Sequence, residues 1–287
     1  MKRAMILIIL VIAVLIGTYY GGLWNRSTDT PVEPEPAEEP VAIEEPVESE
    51  PEETITEPAP VEPAPIVERN IYGFMPNLPL DDSSITVYEG VVDPRSVSPK
   101  ILDEVTITSV VNKFNALPEG YYPDNLVFIE ANGYEGMQLQ AEAAEQWERW
   151  RQAAEAEGYI VKVVGSYRSA DTQAMLFENY LAGWGEEALL WSAHPRRSEH
   201  EMGLALDLSD TQDVPSEDFI HTPMGAYLAE TAHRYGFILR YPQGYEADTG
   251  YGFEPWHYRY VGVDLAEAMR QDGSATLEHF YGLTVTP

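Results

Sequence analysis

Two short segments of this 287-residue chain hold residue types that bind metal ions and move protons. The first, SEHEMGLALD, contains His200 and Asp207, which are too far apart to share neighbouring turns of one helix. A loop that carries His200 and bends at Gly203 into a strand that carries Asp207 would bring the two side chains together. The second segment, GFEPWHY, contains Glu254 and His257.

Two histidines and one carboxylate make a zinc set with three protein ligands, which leaves one coordination position for water. We therefore expect His200, Asp207 and His257 to bind one Zn²⁺ per chain. Asp207 lies in the apolar run LALDLS, where a buried carboxylate needs a counter-charge that a metal supplies. Asp210 is the rival ligand, but in a continuing strand it would point to the opposite face, so it could replace Asp207 only if the strand breaks near Ser209. Glu254 then remains as the acid and base of a hydrolase.

The spaced motifs SxHxxGxAxD, which ends at Asp207, and ExWH, which ends at His257, resemble the zinc D,D-carboxypeptidases of the VanY type, which trim bacterial cell-wall peptides. The resemblance extends over about residues 106–262 and includes VNKFNALPEGYYPDNL and SYRSADTQ in the same order. It implies that Glu254 takes a proton from the metal-bound water and returns it to the leaving amine. It also implies that Arg168 stabilises negative charge on the scissile carbonyl or the substrate carboxylate.

Two polar residues of the same motifs, Gln173 and Ser198, are expected to form hydrogen bonds with the substrate. The chain departs from the family at one place, because Pro195 is followed by Arg196 where family members usually have Gly. A positive φ is costly without Gly, so we expect the loop to take another path there. The four remaining histidines are interpreted as structural or surface residues: His194, His221, His233 and His279.

The predicted elements alternate helix and strand. Helices are predicted at residues 138–157, at residues 170–181 with Ser169 as N-cap and Gly183 as the stop, and from Pro223, capped by Thr222, to Gly236. Strands are predicted at residues 159–164, 237–241 and 256–261. This mixed order with hairpin-like returns favours an α+β fold, in which flanking helices cover an antiparallel sheet core in a single catalytic domain.

The N-terminus predicts a membrane segment. Lys2 and Arg3 precede the uncharged run of residues 4–24, which as a helix is long enough to cross most of a bilayer. Because positive charge favours the cytoplasmic side, we expect residues 1–28 to be a single-pass anchor with the rest of the chain outside the membrane. A cleaved signal peptide, with secretion of the mature chain, is the alternative. Residues 29–68 hold fourteen Asp and Glu, many Pro and no Lys or Arg, which predicts an extended, disordered linker.

Residues 69–105 are expected to form an arm that packs on a catalytic domain of residues 106–287. The absence of Cys excludes disulfides and thiolate ligands. A formal net charge of −31 disfavours nucleic acids and anionic lipid surfaces as partners. The expected partner is the peptidoglycan stem peptide, and the expected oligomeric state is a monomer.

Three functions fit these expectations. The leading one is a carboxypeptidase that removes the terminal D-alanine from D-Ala-D-Ala stem peptides outside the membrane. An L,D-carboxypeptidase that acts on the tetrapeptide stem shares every catalytic residue, so the sequence leaves that choice open. The third is a membrane-tethered wall module that binds D-Ala termini without turnover. Glu254 argues against it, because a module that only binds needs no base.

Overall fold

Ten short strands occur in the computed structural model, which describes residues 86–211 and 213–283. They are β1 Val87–Tyr88, β2 Val91–Val92, β3 Lys100–Ile101, β4 Asn115–Ala116, β5 Leu126–Phe128, β6 Gln138–Gln140, β7 Lys162–Gly165, β8 Ala205–Ser209, β9 Phe237–Tyr241 and β10 Glu254–Tyr260. All described residues belong to one unit of the chain, which spans residues 63–287.

Six α-helices separate or follow these strands in the described part of the chain. They are α1 Ala141–Ala156, α2 Ala170–Trp184, α3 Pro223–Thr231, α4 Glu246–Thr249, α5 Val263–Asp272 and α6 Leu277–Phe280. Short 3-10 helices occur at Pro94–Ser96, Gly185–Leu190, Glu199–Met202, Glu217–His221 and Ala232–Tyr235.

The central sheet has four strands in the order β7-β8-β10-β9, and every neighbouring pair is antiparallel. The pairs β1–β2, β3–β4 and β5–β6 form three further two-stranded sheets. The prediction of an α+β fold around an antiparallel sheet is therefore confirmed.

Helix α1 covers one face of the central sheet. The ring centroid of Trp150 lies 5.1 Å from that of Tyr258 on β10 and 5.3 Å from that of Phe237 on β9. Trp147, one turn earlier on α1, is fully buried beside it. Because successive side chains of a strand point to opposite faces, Tyr258 in the core leaves His257 on the other face of the sheet.

Two predicted helix boundaries are wrong. Helix α1 does not begin at residue 138, because Gln138–Gln140 pairs with Leu126–Phe128 as strand β6, where Leu139 is fully buried opposite Val127. Helix α2 does begin after Ser169, whose Oγ accepts from the Thr172 amide at 3.2 Å. It continues past Gly183 to Gly185, whose φ of 65° ends the helix.

The other elements agree more closely with the prediction. Thr222 caps α3 by accepting from the Gly225 amide at 3.0 Å, with Pro223 in the first position. A 3-10 turn then leads to Gly236 at φ 76°. Strand β7 is shorter than predicted, because the Tyr159 amide still bonds to Ala154 at the end of α1.

Strand β9 lies where it was predicted, at Phe237–Tyr241. Strand β10, at Glu254–Tyr260, begins two residues before the predicted start at residue 256. The candidate base Glu254 therefore belongs to the strand that carries His257.

The described part of the predicted arm contacts the rest of the unit through Arg197. Its Nη1 donates to the Pro94 carbonyl at 2.7 Å and its Nη2 to the Val97 carbonyl at 3.0 Å. The predicted anchor and linker lie outside the described residues. Among the residues that are described, no helix is both long and apolar enough to cross a membrane.

Candidate active site

Strand pairing brings the two distant motifs together. In the register of β8 and β10, Asp207 lies directly opposite His257, so their side chains leave the sheet on the same side. On the other neighbouring strand, Asp207 pairs with Gly165. A Cβ at Gly165 would lie 2.0 Å from Asp207 Oδ2, so only glycine leaves room for the carboxylate.

His200 reaches the same point from the 3-10 turn Glu199–Met202, which ends at Gly203 in the left-handed conformation, φ 66°. The turn and the strand behind it match the predicted loop, bend and strand. His200, Asp207 and His257 are all buried, and their ligand atoms lie within 4.8 Å of one another. The structure therefore brings together all three predicted metal ligands.

The separations within this set are short enough for one metal ion to contact all three residues. His200 Nε2 lies 3.4 Å from Asp207 Oδ2, and His257 Nδ1 lies 3.2 Å from Asp207 Oδ1. In a zinc site with bonds of about 2.0–2.2 Å, the ligand atoms stand about 3.3–3.6 Å apart. Asp207 Oδ1 is fully buried and accepts no hydrogen bond from any described residue. A buried carboxylate in that state suits a cation, so the residues present fit zinc.

Backbone contacts fix which nitrogen of His200 faces the metal position. Its Nδ1 lies 2.7 Å from the Ser166 carbonyl oxygen, which can only accept, so Nδ1 carries the proton and Nε2 is free. Burial and the nearby charge of Arg168 lower the pKa of His200 to about 4. The ring is therefore neutral at pH 7, which is the form that binds metals.

His257 has the opposite orientation, with Nδ1 towards Asp207. Burial by itself lowers the pKa of His257, but contacts with Asp207 and Glu199 outweigh it and raise the pKa to about 9. A proton on His257 thus balances the Asp207 carboxylate in the metal-free protein. Proton and metal ion compete for the same place.

Glu254 lies beside this set at the start of β10, with Oε2 3.6 Å from His257 Nδ1. Burial raises the pKa of Glu254 to about 8, and the charge of Asp207 adds to the effect against the opposing charges of His257 and Arg168. A carboxyl group with a pKa near neutrality is suited to both accepting and releasing a proton.

Arg168 follows β7 and precedes the α2 N-cap, as predicted. Its backbone amide donates to the His200 carbonyl at 3.2 Å, which ties it to the metal-binding turn. Within the described residues it makes no ion pair within 4.0 Å, and its buried Nε has no hydrogen-bond partner. Its charge nevertheless acts on both His200 and Glu254. The guanidinium is therefore available to an anionic group in the cleft.

Gln173 and Ser198, the other two predicted substrate contacts, are buried. The Gln173 side-chain amide donates to the Ala193 carbonyl at 2.7 Å, while its Oε1 has no partner among the described residues. Ser198 precedes the metal-binding turn, but its side chain does not cap that turn. Both residues therefore retain polar groups that the described structure leaves unused.

The four histidines interpreted as structural have varied settings. His194 packs its ring edge on Phe177 at a centroid distance of 5.2 Å, and His233 Nε2 lies 3.6 Å from Glu267 on α5. Among the described residues, no potential metal-binding group includes any of the four histidines His194, His221, His233 and His279.

The expectation that the loop at Arg196 takes another path is wrong. Arg196 keeps the left-handed conformation at φ 68°, although a side chain there costs roughly 1–2 kcal/mol. The Arg196 amide donates to Glu201 Oε1 at 2.7 Å, and its Nη1 donates to the Tyr121 carbonyl at 3.0 Å. These contacts offset the strain, so the loop keeps the conformation that glycine would take.

Sequence reasoning missed Glu199, which lies between two predicted site residues. It is 1 % exposed, and its Oε1 accepts from Arg240 Nε at 2.7 Å and from Arg259 Nη1 at 2.8 Å. A signal was present in the sequence, because FILRY and HYRY each place one arginine in an apolar strand. A buried carboxylate is one of the partners that offset the cost of burying an arginine, so these two arginines indicate one nearby.

Comparison with known proteins agrees with this site. A model of the VanY family, described as D-alanyl-D-alanine carboxypeptidase, matches residues 136–263. The putative carboxypeptidase YodJ of Bacillus subtilis is 39% identical over 183 residues, which are 61% of this chain and 67% of that protein. The bifunctional D-Ala-D-Ala dipeptidase and carboxypeptidase VanXYC of Enterococcus gallinarum is 32% identical over 180 residues, 60% of this chain and 92% of the relative.

Two solved structures extend the match. The LdcB LD-carboxypeptidase has a TM-score of 0.59 at 34% identity and covers 70% of this chain and 94% of its own. A vancomycin-resistance D,D-pentapeptidase VanY crystallised with Zn(II) has a TM-score of 0.52 at 28% identity, covering 60% of this chain and 97% of its own. The chain belongs to the VanY family of D-alanyl-D-alanine carboxypeptidases. Members of this family act on D-Ala-D-Ala or peptidoglycan peptides, and zinc is consistent with the family.

Proposed function

We propose that this chain is a zinc-dependent carboxypeptidase that removes the C-terminal D-alanine from peptidoglycan stem peptides outside the membrane. The observation that carries the proposal is the buried set of His200, Asp207 and His257 beside Glu254. Glu254 makes no ion pair with arginine or lysine among the described residues, so its carboxylate is free for proton transfer.

The chemistry divides between the metal and the protein. Zn²⁺ held by the three ligands would lower the pKa of a bound water to about 7 and polarise the scissile carbonyl. Glu254 accepts one proton from the attacking water through a side-chain oxygen and delivers it to the nitrogen of the departing D-alanine as the C–N bond breaks. Burial raises the pKa of Glu254 to about 8 without a metal, and the charge of a bound zinc ion would lower it towards neutrality, where a carboxyl group can both accept and return a proton.

Arg168 provides the anion recognition that a carboxypeptidase requires. Its guanidinium, which has no carboxylate partner in the described structure, binds the terminal carboxylate of the substrate or the negative charge that develops on the scissile carbonyl. Gln173 Oε1 accepts from a substrate amide, and the Ser198 hydroxyl provides a further hydrogen bond.

A second specificity has a specific observation in its favour. One of the similar structures is an LD-carboxypeptidase. An L,D-enzyme removes the terminal D-alanine of a tetrapeptide stem instead of the pentapeptide. Side-by-side incubation with synthetic tetrapeptide and pentapeptide, followed by chromatographic quantification of released D-alanine, separates the two. Faster release from the pentapeptide supports the D,D proposal, and faster release from the tetrapeptide replaces it.

We further propose that residues 1–28 anchor the protein by a single membrane pass and that residues 29–68 tether the domain of residues 106–287 outside. The proposal rests on the charge and apolar pattern of the sequence. Protease treatment of intact cells, followed by immunoblotting of the membrane fraction, tests it. Resistance of the domain in intact cells but not in lysed cells would contradict it.

The roles of Glu254 and Asp207 are separable. Glu254→Gln keeps the side-chain shape and all three ligands, so zinc should stay bound while turnover falls by roughly 10²-fold or more, because an amide cannot accept the proton. Asp207→Asn should instead release the metal, because it removes the only anionic ligand. Bound zinc and D-alanine release are measured together for both variants. Zinc loss in Glu254→Gln with zinc and activity retained in Asp207→Asn would reverse the assignments, and full turnover in Glu254→Gln would remove the proposed base.

A further inference from the structure

A buried ionic cluster lies behind the metal set, on the far side of His257. It contains Glu199, Arg240, Arg259 and Glu278, each at most 1 % exposed. Arg240 uses Nε for Glu199 at 2.7 Å and both Nη atoms for Glu278 at 2.7 and 2.8 Å. Burying four charges is costly unless each is paired, so every charged atom of this cluster is expected to have a partner.

The two oxygens of Glu199 have different partners. Oε1 accepts from both Arg240 and Arg259, and neither arginine contacts Oε2. Oε2 lies 3.5 Å from His257 Nε2. Both of these buried atoms have no hydrogen-bond partner among the described residues. Buried polar atoms in proteins are almost always paired, and here an unpaired donor position faces an unpaired acceptor.

The other nitrogen of His257 faces the cleft. Nδ1 lies 3.2 Å from Asp207 Oδ1 and 3.6 Å from Glu254 Oε2. For Nδ1 to bind a metal, its lone pair must be free, so the ring proton must reside on Nε2. Metal-binding histidines generally donate that second N–H to a carboxylate or a carbonyl, which fixes the orientation of the ring.

We propose that Glu199 is a positioning residue of the metal centre, whose Oε2 accepts the Nε2–H of His257 and so holds Nδ1 towards the metal. The arginines hold Oε1 and thereby fix the direction of Oε2. The two histidine ligands are then oriented differently, His200 by the neutral Ser166 carbonyl and His257 by a carboxylate. This inference rests on the proposed zinc site.

The test compares two isosteric changes in the same cluster, made in the full chain. Glu199→Gln leaves an oxygen for the arginines but removes the anion that faces His257. Glu278→Gln removes an equally buried carboxylate that contacts Arg240 and Asn112 but not His257. Zinc affinity is measured by competition with a chelator, and the stability of the metal-free protein by urea unfolding.

We expect Glu199→Gln to weaken zinc binding by about 10–100-fold, the usual loss when a ligand's outer partner is removed. Glu278→Gln should lower stability but keep zinc affinity within about twofold of the wild type. Equal zinc affinities for the two variants would mean that Glu199 only supports the fold. Failure of the wild type to bind zinc would overturn the proposed function together with this inference, whereas unchanged zinc binding by Glu199→Gln would overturn this inference alone.

A second variant covers the case in which Glu199→Gln does not fold. Glu199→Asp keeps the charge that balances Arg240 and Arg259 but withdraws the carboxylate from His257 by one methylene. We expect a folded protein with weaker zinc binding than the wild type. Zinc affinity equal to that of the wild type would contradict the positioning role.

Discussion

The cleft around Asp207 and the cluster around Glu199 each bury a carboxylate against a different nitrogen of His257. In the cluster, two arginines lie within 2.8 Å of Glu199. In the cleft, the ion-pair partners of Asp207 among the described residues are histidines, and none of these residues donates a hydrogen bond to its Oδ1. Two carboxylates a few ångströms from one ring therefore depend on different sources of positive charge.

This difference in charge partners means that the Glu199 cluster is balanced within the protein, whereas the Asp207 cleft is suited to binding a cation. Burial raises the pKa of both carboxyl groups, but their partners more than offset it and hold both pKa values well below the usual range. For Glu199 those partners are chiefly permanent cations, Arg240 and Arg259. For Asp207 they are His200 and His257, and His257 can exchange its proton for a metal ion. We expect the Glu199 cluster to stabilise the fold without metal and the Asp207 cleft to stabilise it only with metal.

The largest expected effect tests the cluster. Arg240→Met leaves Glu278 without its two strongest donors and Glu199 with one arginine, so it should lower the free energy of unfolding of the metal-free protein by about 3–5 kcal/mol. Asp207→Asn should cost much less in the same chelator-treated state, because it separates no arginine from its partner. Urea unfolding of both variants measures the difference. Equal losses would show that the Asp207 cleft is as much a part of the folding core as the cluster.

A smaller effect tests the cleft. Zinc at 100 times its dissociation constant should stabilise the wild-type protein by about 2.7 kcal/mol, because only the folded state presents the site. Asp207→Asn should lose most of this gain. Asp210→Asn, at an exposed position just beyond β8, is the matched control and should keep it. Thermal unfolding with zinc and with chelator measures both gains, and loss of the gain in Asp210→Asn would make that residue the ligand.

The Asp207 cleft could be predicted from sequence. For the cluster, the arginines of the two apolar strands indicated a buried carboxylate but not which residue supplies it. Metal ligands come from few residue types, so His200, Asp207 and His257 stand out in their motifs. The register that sets Asp207 opposite His257 joins strands distant in sequence, and no local pattern encodes it. Glu199 was missed because a side chain next to a ligand gives no sign of which side of its turn it will occupy.

Two further features were hidden for the same physical reason. Strand β6 has the sequence QLQ, whose composition matches the helix that follows, and only pairing with β5 makes it a strand. Glu278 lies beyond the segment that matches the family model, so the motifs do not include this partner of Arg240. Tertiary contacts determine both the strand conformation of β6 and the pairing of Glu278 with Arg240, and local sequence predicts neither.

Lys113 is a third buried ionisable group, and it has no oppositely charged side chain beside it in the described part of the chain. It is 1 % exposed, and its Nζ donates to the Leu189 carbonyl at 2.8 Å and lies 4.9 Å from the centroid of the Tyr251 ring. It forms no ion pair within 4.0 Å in the described part of the chain. Burial lowers the pKa of Lys113 to about 7, against the weak opposing charge of Asp93. Above about pH 7 the folded protein therefore holds Lys113 in its neutral form, which avoids the free-energy cost of burying the charge.

The sign of the resulting pH dependence follows from proton counting. Between about pH 7 and the ordinary lysine pKa near 10.4, the unfolded chain holds a proton on Lys113 that the folded chain has released, so raising the pH favours the folded state. Below pH 7 both states hold the proton and the dependence ends. From pH 7 to pH 9 the free energy of unfolding of the wild type should rise by about 2 kcal/mol relative to Lys113→Met. Urea unfolding of the two proteins at both pH values, in chelator so that zinc does not contribute, measures the change. A constant difference would mean that Lys113 stays charged in the fold, balanced by its carbonyl and ring contacts alone.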